Sequence, residues 1–370
     1  MVDEPPSRGE QEWSDRASAT AQAPPRRVLG VLERLHAPRY AAIWVATALL
    51  FALSPLLASN SLTGSALLSM LPFAAMLAIA AVGQTLVIQQ RGLDLTVPGM
   101  ILLTSVIVTL HTGGANGGLP VALLLVVLAC VASGLVSGIA VTQFGITPLV
   151  ATLGVNALLV GTVYQLTSGS VTGSSPPGLG SFAVHKTLGI PNTVWVAVVT
   201  VAVVAAVIRA TVPGRRFVAV GASAPAARAA GIRVGGYVIA TYVLASLTYG
   251  IAGILITGYL QTPGISAGST YLLPTIAAVV LGGTSLAGGN GSVVATAAGA
   301  LFLTQLDQIV TANGAADSVQ YIIQGSIIAV GMLLRNVPWR RLWSRSSARA
   351  PTPLRTVSTT VVARVTENDP

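Results

Sequence analysis

The sequence predicts an all-α integral membrane protein of about ten transmembrane helices, with both termini in the cytoplasm. Three observations carry that expectation. Hydrophobic residues make up 53% of the 370 residues and charged residues only 8%, whereas a soluble domain carries roughly 25% charged residues. So few charges cannot cover the surface of a water-soluble globule of this length. The apolar residues fall in continuous runs close to the ~20 residues of a spanning helix, without the period-two alternation of a membrane barrel. With the N-terminus inside, a ten-span count puts every Lys and Arg except Lys186 on the cytoplasmic side, in accord with the positive-inside rule.

Residues 1–38 mix Pro, Ser, Ala and charges of both signs and read as a disordered cytoplasmic tail. The first apolar run follows almost forty residues later and is expected to be retained rather than cleaved as a signal peptide. The transmembrane domain then occupies 39–336, with runs at 40–58, 65–89, 96–112, 119–142, 147–167, 193–210, 237–260, 272–287, 291–311 and 319–335. The eighth is the shortest. Between the fifth and sixth runs, residues 168–192 form the longest outer connection, with room for a small ordered cap. Residues 337–370 form a basic cytoplasmic tail, and both basic tails suit anionic lipid. The formal charge of +9 therefore reports membrane orientation rather than nucleic-acid binding. Cys130 is alone and sits within an apolar run, so no disulfide framework exists.

Two glycine-punctuated turns interrupt the apolar sequence on the cytoplasmic side. "VIQQRGLDLTVPGMIL" (87–102) holds Arg91, Gly92, Asp94 and Gly99; "LGGTSLAGGNGS" (281–292) holds Gly282, Gly283, Gly288 and Gly289. Six spans separate them, so they read as a parallel internal repeat or as two unrelated hairpins. Glycine lets helices approach closely, and it lets backbone leave the helical path where protein covers it. Gly92, Asp94, Gly99, Gly282, Gly283, Gly288 and Gly289 are therefore gate or turn candidates. Asp94 at mid-membrane would cost roughly 2.5–3.5 kcal/mol, which places it at the cytoplasmic boundary. There it accepts turn amides, caps the helix opening near Leu95–Pro98, or pairs with an arginine in one state of a gate.

The cytoplasmic segment 211–236 contains "GASAPAARAAGI", with Ser223 as a helix N-cap, Pro225 in the first turn and Gly231 as a stop signal. About two turns of helix are too short to be stable alone. Of the polar residues within the runs, Gln84, Thr152 and Asn156 are the transport-path candidates; Thr152 and Asn156 are i, i+4 on one helix face. Most Ser and Thr in such runs bond back to their own helix instead. Asp307 is the one acidic residue inside a run, close enough to pair with Gln305 or Gln308. His36, His111 and His185 lack metal-ligand spacing, and the sole lysine, Lys186, follows His185 rather than a glycine-rich P-loop. No metal, cofactor or catalytic residue is expected, and the chain is not expected to be an enzyme.

"AAVVLGGTSLAGGNGSVVATAAGAL" resembles the signature of the membrane permease subunits of ribose-type ABC importers. "GQTLVIQQRGLDLTVPGMIL" (83–102) and "ITPLVATLGVNALLVGTVYQLTSG" (146–169) are similar to two further family stretches, and "FVAVGASAPAARAAGIRV" (217–234) looks like the family's coupling segment. All four occur in the family's order. The resemblance implies import of a monosaccharide or related polyol across the cytoplasmic (inner) membrane. It implies three partners: an ABC ATPase subunit that uses the ATP, an extracytoplasmic solute-binding protein, and a second permease subunit, identical or different. On this reading Ser223, Pro225, Ala227, Arg228, Ala230, Gly231 and Ile232 couple to the ATPase. The chain departs from the family at Arg91, where a glycine is usual, and at Pro98. The competing reading is an ion-coupled secondary transporter of small polar solutes, which would need an intramembrane carboxylate such as Asp307.

Overall fold

A computed structural model describes residues 40–170 and 173–336. The two tails predicted at 1–38 and 337–370 lie outside the described residues. All ten apolar runs are helical. In chain order the helices are α1 (Ala41–Leu57), α2 (Gly64–Gln89), α3 (Val97–Thr112), α4 (Leu119–Thr142), α5 (Pro148–Thr167) and the short α6 (Pro177–Val184). A two-residue antiparallel pair, β1 (Lys186–Thr187) and β2 (Ile190–Pro191), leads into α7 (Asn192–Ala210). Then come α8 (Val212–Ala222), α9 (Ala224–Ala229), α10 (Val234–Leu260), α11 (Leu272–Leu281), α12 (Val293–Ala312) and α13 (Asp317–Asn336). The described residues up to Ala329 form one compact unit, and those from Val330 belong to a second.

Among the described residues, six helices are long and apolar enough to cross a membrane by length and composition, among them α2, α5, α7, α10 and α12; α1, α3, α11 and α13 are shorter apolar helices. The predicted eighth run, 272–287, is cut short at Leu281. Its amide-to-carbonyl ladder gives way at Gly283, whose φ of +74° is left-handed and closed to a continuing helix. Ten residues rise only about 15 Å, half of the ~30 Å hydrocarbon core.

Helices α2 and α10 form the centre. Ile79, Ala80, Ala81 and Val82 of α2, with Ala245 and Tyr249 of α10, are wholly inaccessible. Apolar side chains of α4, α5 and α7 such as Leu124, Leu128, Leu158, Val199 and Val203 face outward instead, as helices bordering lipid do. Between helices of equal apolarity to lipid, small residues and hydroxyls provide the adhesion. Cys130 is a buried free thiol of α4 against Gly250 of α10. Thr85 of α2 and Thr296 of α12 share a hydrogen bond of 2.9 Å, and Thr257 Oγ1 of α10 lies 2.9 Å from Ser105 Oγ of α3. The connection predicted to face outward contains, within 173–191, the short α6 and the two-residue β pair.

Candidate functional site: the junction of the two glycine turns

Both glycine turns close on the end of α8. After α2, Arg91 adopts φ +65°, the left-handed region that costs a side-chain-bearing residue about 1–2 kcal/mol. In return the guanidinium reaches α8: Arg91 Nε donates to the Gly221 carbonyl at 3.1 Å and Nη2 donates to the Ala222 carbonyl. These are the last carbonyls of a helix, free of intrahelical donors and at its negative end, and a cation is the favoured partner. Gln90 Nε2 adds a bond to the Phe217 carbonyl at 2.8 Å. The second turn meets the same place, with the Gly289 amide donating to the Gln89 carbonyl at 2.8 Å. Gly288 and Gly289 have φ of +83° and +75°; a β-carbon at Gly289 would stand 2.7 Å from the Ala222 Cα. Residues 89–92, 217–222 and 288–291 are thus one packed junction.

The segment 222–224 links that junction to α9. The Ser223 hydroxyl accepts the Ala226 amide at 3.3 Å, capping α9 as expected, and Gly231 ends the turn at φ +75°. Ala227 is buried within the chain, whereas Pro225, Arg228, Ala230 and Gly231 are exposed and Ile232 is half-buried. The helix α8 was not anticipated. Its signal is present, because Thr211 accepts the Gly214 amide at 3.1 Å as N-cap and Pro213 lies in the first turn.

Asp94 is 1% exposed. One carboxylate oxygen accepts both the Thr96 amide at 2.9 Å and the Thr96 hydroxyl at 2.7 Å, just ahead of α3. The carboxylate serves the turn's own amide, the first of the three roles the sequence allowed. Tyr242 and Tyr249 of α10 lie within its electrostatic reach, and the Tyr249 hydroxyl donates to Gln84 Oε1 at 3.1 Å. Gln84 is fully buried, and its amide nitrogen has no partner among the described residues. Gly92 lies against the Tyr242 hydroxyl, and Gly282 packs on the backbone of Thr296.

Thr152 and Asn156 do face one side of α5, and that side holds the first turn. Thr152 Oγ1 accepts the Leu95 amide at 3.1 Å, and Asn156 Oδ1 accepts the Gly99 amide at 2.9 Å. Gly99 permits this approach: a β-carbon there would meet Asn156 Oδ1 at 2.6 Å. Replacing Thr152 by Val keeps the shape but leaves the part-buried Leu95 amide without this partner, which costs up to about 1–3 kcal/mol. The expected outcome is a lowered melting temperature in detergent with insertion intact. An unchanged melting temperature would show that the turn does not depend on this bond.

Asp307 does not turn to Gln305 or Gln308. Its hydrogen-bonding partners are Gln320 and Gln324 of α13, while Gln305 Nε2 donates to Ser54 Oγ at 2.9 Å and Gln308 Nε2 to the Ala66 carbonyl at 3.0 Å. Neighbours two positions or fewer apart on a helix do not face one another.

A bundle of apolar helices, six of them among the described residues long and apolar enough to cross a membrane, has the architecture of a multi-pass membrane protein. Residues 66–332 match the family described as "Branched-chain amino acid transport system / permease component". The ribose import permease protein RbsC of Escherichia coli K12 is 34% identical over 297 residues, covering 79% of this chain and 92% of that protein. RbsC of Bacillus subtilis is 30% identical over 271 residues (72% and 84%), and the autoinducer 2 import system permease protein LsrC of Salmonella choleraesuis is 30% identical over 279 residues (75% and 80%). No solved structure matches the chain. The chain belongs to this family of ABC transporter permeases and resembles its ribose-type members; it is a multi-pass protein of the inner membrane.

Proposed function

We propose that this chain is the membrane subunit of an ABC importer that passes a monosaccharide or related polyol inward from an extracytoplasmic binding protein. Ten spans cross the bilayer with both termini inside, two permease subunits enclose the path, and a separate ATPase docks on the exposed face of α9. The carrying observation is the junction. A push on α9 is transmitted through Ser223 to the Gly221 and Ala222 carbonyls, and from there to Arg91 and Gly289. Those two residues sit in the turns that join α2 to α3 and α11 to α12, so one docking event moves four helices. The similarity to the Escherichia coli ribose import permease along 92% of its length supports the sugar class.

The test is reconstitution in proteoliposomes. D-Ribose uptake is expected only with the ATPase, the binding protein and ATP all present; uptake by this chain alone, driven by an ion gradient, would establish the secondary-transporter reading in its place. Orientation is checked separately with a cysteine at position 223 in a Cys130→Ser background. An impermeant maleimide is expected to label Ser223→Cys only in inside-out vesicles, and labelling from outside intact cells would reverse the assigned topology.

A further inference from the structure

At the end of the bundle opposite the glycine junction, a cavity of about 600 Å³ opens between α2, α11, α12 and α13. That volume lies within the range of small-molecule sites. Its wall combines three aromatic rings, Phe73, Tyr259 and Tyr271, with polar groups of α12, chiefly Thr304, Asp307 and Gln308. Phe73 and Tyr259 hold each other edge to face at 5.2 Å and 78°, a geometry that fixes both rings. Asp307 is held by the two glutamines of α13. Gln308 is tethered through its nitrogen to the Ala66 carbonyl, and its buried oxygen has no partner among the described residues. A buried acceptor of this kind calls for a donor.

We propose that this cavity is where the permease receives its solute, and that it admits uncharged polyhydroxylated molecules while rejecting anionic ones. This assignment rests on the importer reading. A sugar ring offers C–H faces to the aromatic rings and hydroxyl donors to the Asp307 carboxylate and the Gln308 oxygen. A carboxylate or phosphate finds nothing cationic among the described residues, none of the lining ones being Lys, Arg or His, and an anion taken from water without a partner is strongly disfavoured. The same deficiency rules against free amino acids, whose carboxylate would sit unpaired beside Asp307. The family description alone leaves that class open.

Ala312 lines the cavity near its exposed edge, so Ala312→Trp fills the space without entering the core. The complex of permease, ATPase and binding protein carrying Ala312→Trp or Asp307→Leu is expected to take up D-ribose at least tenfold more slowly while still co-purifying with its ATPase. In the second measurement, Thr311→Cys in the Cys130→Ser background is labelled by an impermeant maleimide. D-Ribose at tens of millimolar is expected to slow labelling at least threefold, and D-gluconate at the same concentration to leave it unchanged. Wild-type uptake rates in both variants, or labelling indifferent to ribose in a complex that transports ribose, would overturn the assignment alone. Equal protection by gluconate would overturn the charge selection. No ribose uptake by the wild-type complex would overturn the importer reading and the assignment with it.

Discussion

Replacing Gly289 by Val is expected to cut uptake below a tenth of wild type while leaving the helices inserted. At φ +75° any L side chain carries about 1–2 kcal/mol of backbone strain, and a β-branched one more. The new β-carbon would stand 2.7 Å from the Cα of Ala222 and 3.0 Å from the Ala222 amide nitrogen, a backbone that cannot swing aside as a flexible side chain does. Overpacking of a fitted contact adds about 1–3 kcal/mol. Relief requires the second turn to part from the end of α8, which also stretches the 2.8 Å bond from the Gly289 amide to the Gln89 carbonyl. The expected readings are ribose uptake below a tenth of wild type, membrane insertion unchanged, and ATP hydrolysis by the assembled complex no longer stimulated by loaded binding protein. Glycine 64, with nothing within 4 Å of its would-be β-carbon, supplies the control: Gly64→Ala is expected to transport normally. Full uptake in Gly289→Val would mean that the two turns move independently of α8, and the coupling role assigned to the junction would fall.

The apolar runs are long-range, redundant signals, and every one of them corresponds to a helix within a few residues, apart from the run cut short at Leu281. What composition could not supply is pairing across distant parts of the chain. Arg91 looked like a cytoplasmic charge obeying orientation; its bonds to Gly221 and Ala222 span 130 and 131 residues of sequence. Thr152 and Asn156 share a helix face as their spacing implied, yet the same spacing fits a path-lining pair and a pair that clamps a neighbouring turn. The bonds to the Leu95 and Gly99 amides could not be read from that spacing. The partners of Asp307 were sought among its neighbours in sequence, whereas they sit on the next helix at the far side of a turn. Helix α8 was overlooked for a different reason. Its two arginines and Pro213 depress the hydropathy that marks the other helices, and its amphipathic pattern is confined to three turns.

The helix α9, proposed above as the ATPase seat, is expected to divide its alanines between two roles. Ala227 is 4% exposed and faces the chain's own helices, so Ala227→Trp overfills an interior contact and is expected to lower thermal stability before any partner is added. Ala230, one turn on, is exposed, and nothing within the chain resists a larger side chain there. If the ATPase seats α9 in a groove, Ala230→Trp clashes with the groove and not with the permease. A loss of about 1–3 kcal/mol at that contact weakens assembly by roughly tenfold to a hundredfold, at about 1.4 kcal/mol per decade. The Ala230→Trp chain is therefore expected to insert and melt like wild type, to co-purify poorly with its ATPase, and to lose uptake in proportion. Arg228, also exposed, tests whether charge or shape governs the seat: Arg228→Ala is expected to change the salt dependence of co-purification more than its extent, because exposed charge pairs are screened. Normal co-purification and uptake in Ala230→Trp would make α9 a surface connector, and the force on the junction would then have to enter through the exposed residues of α8 instead.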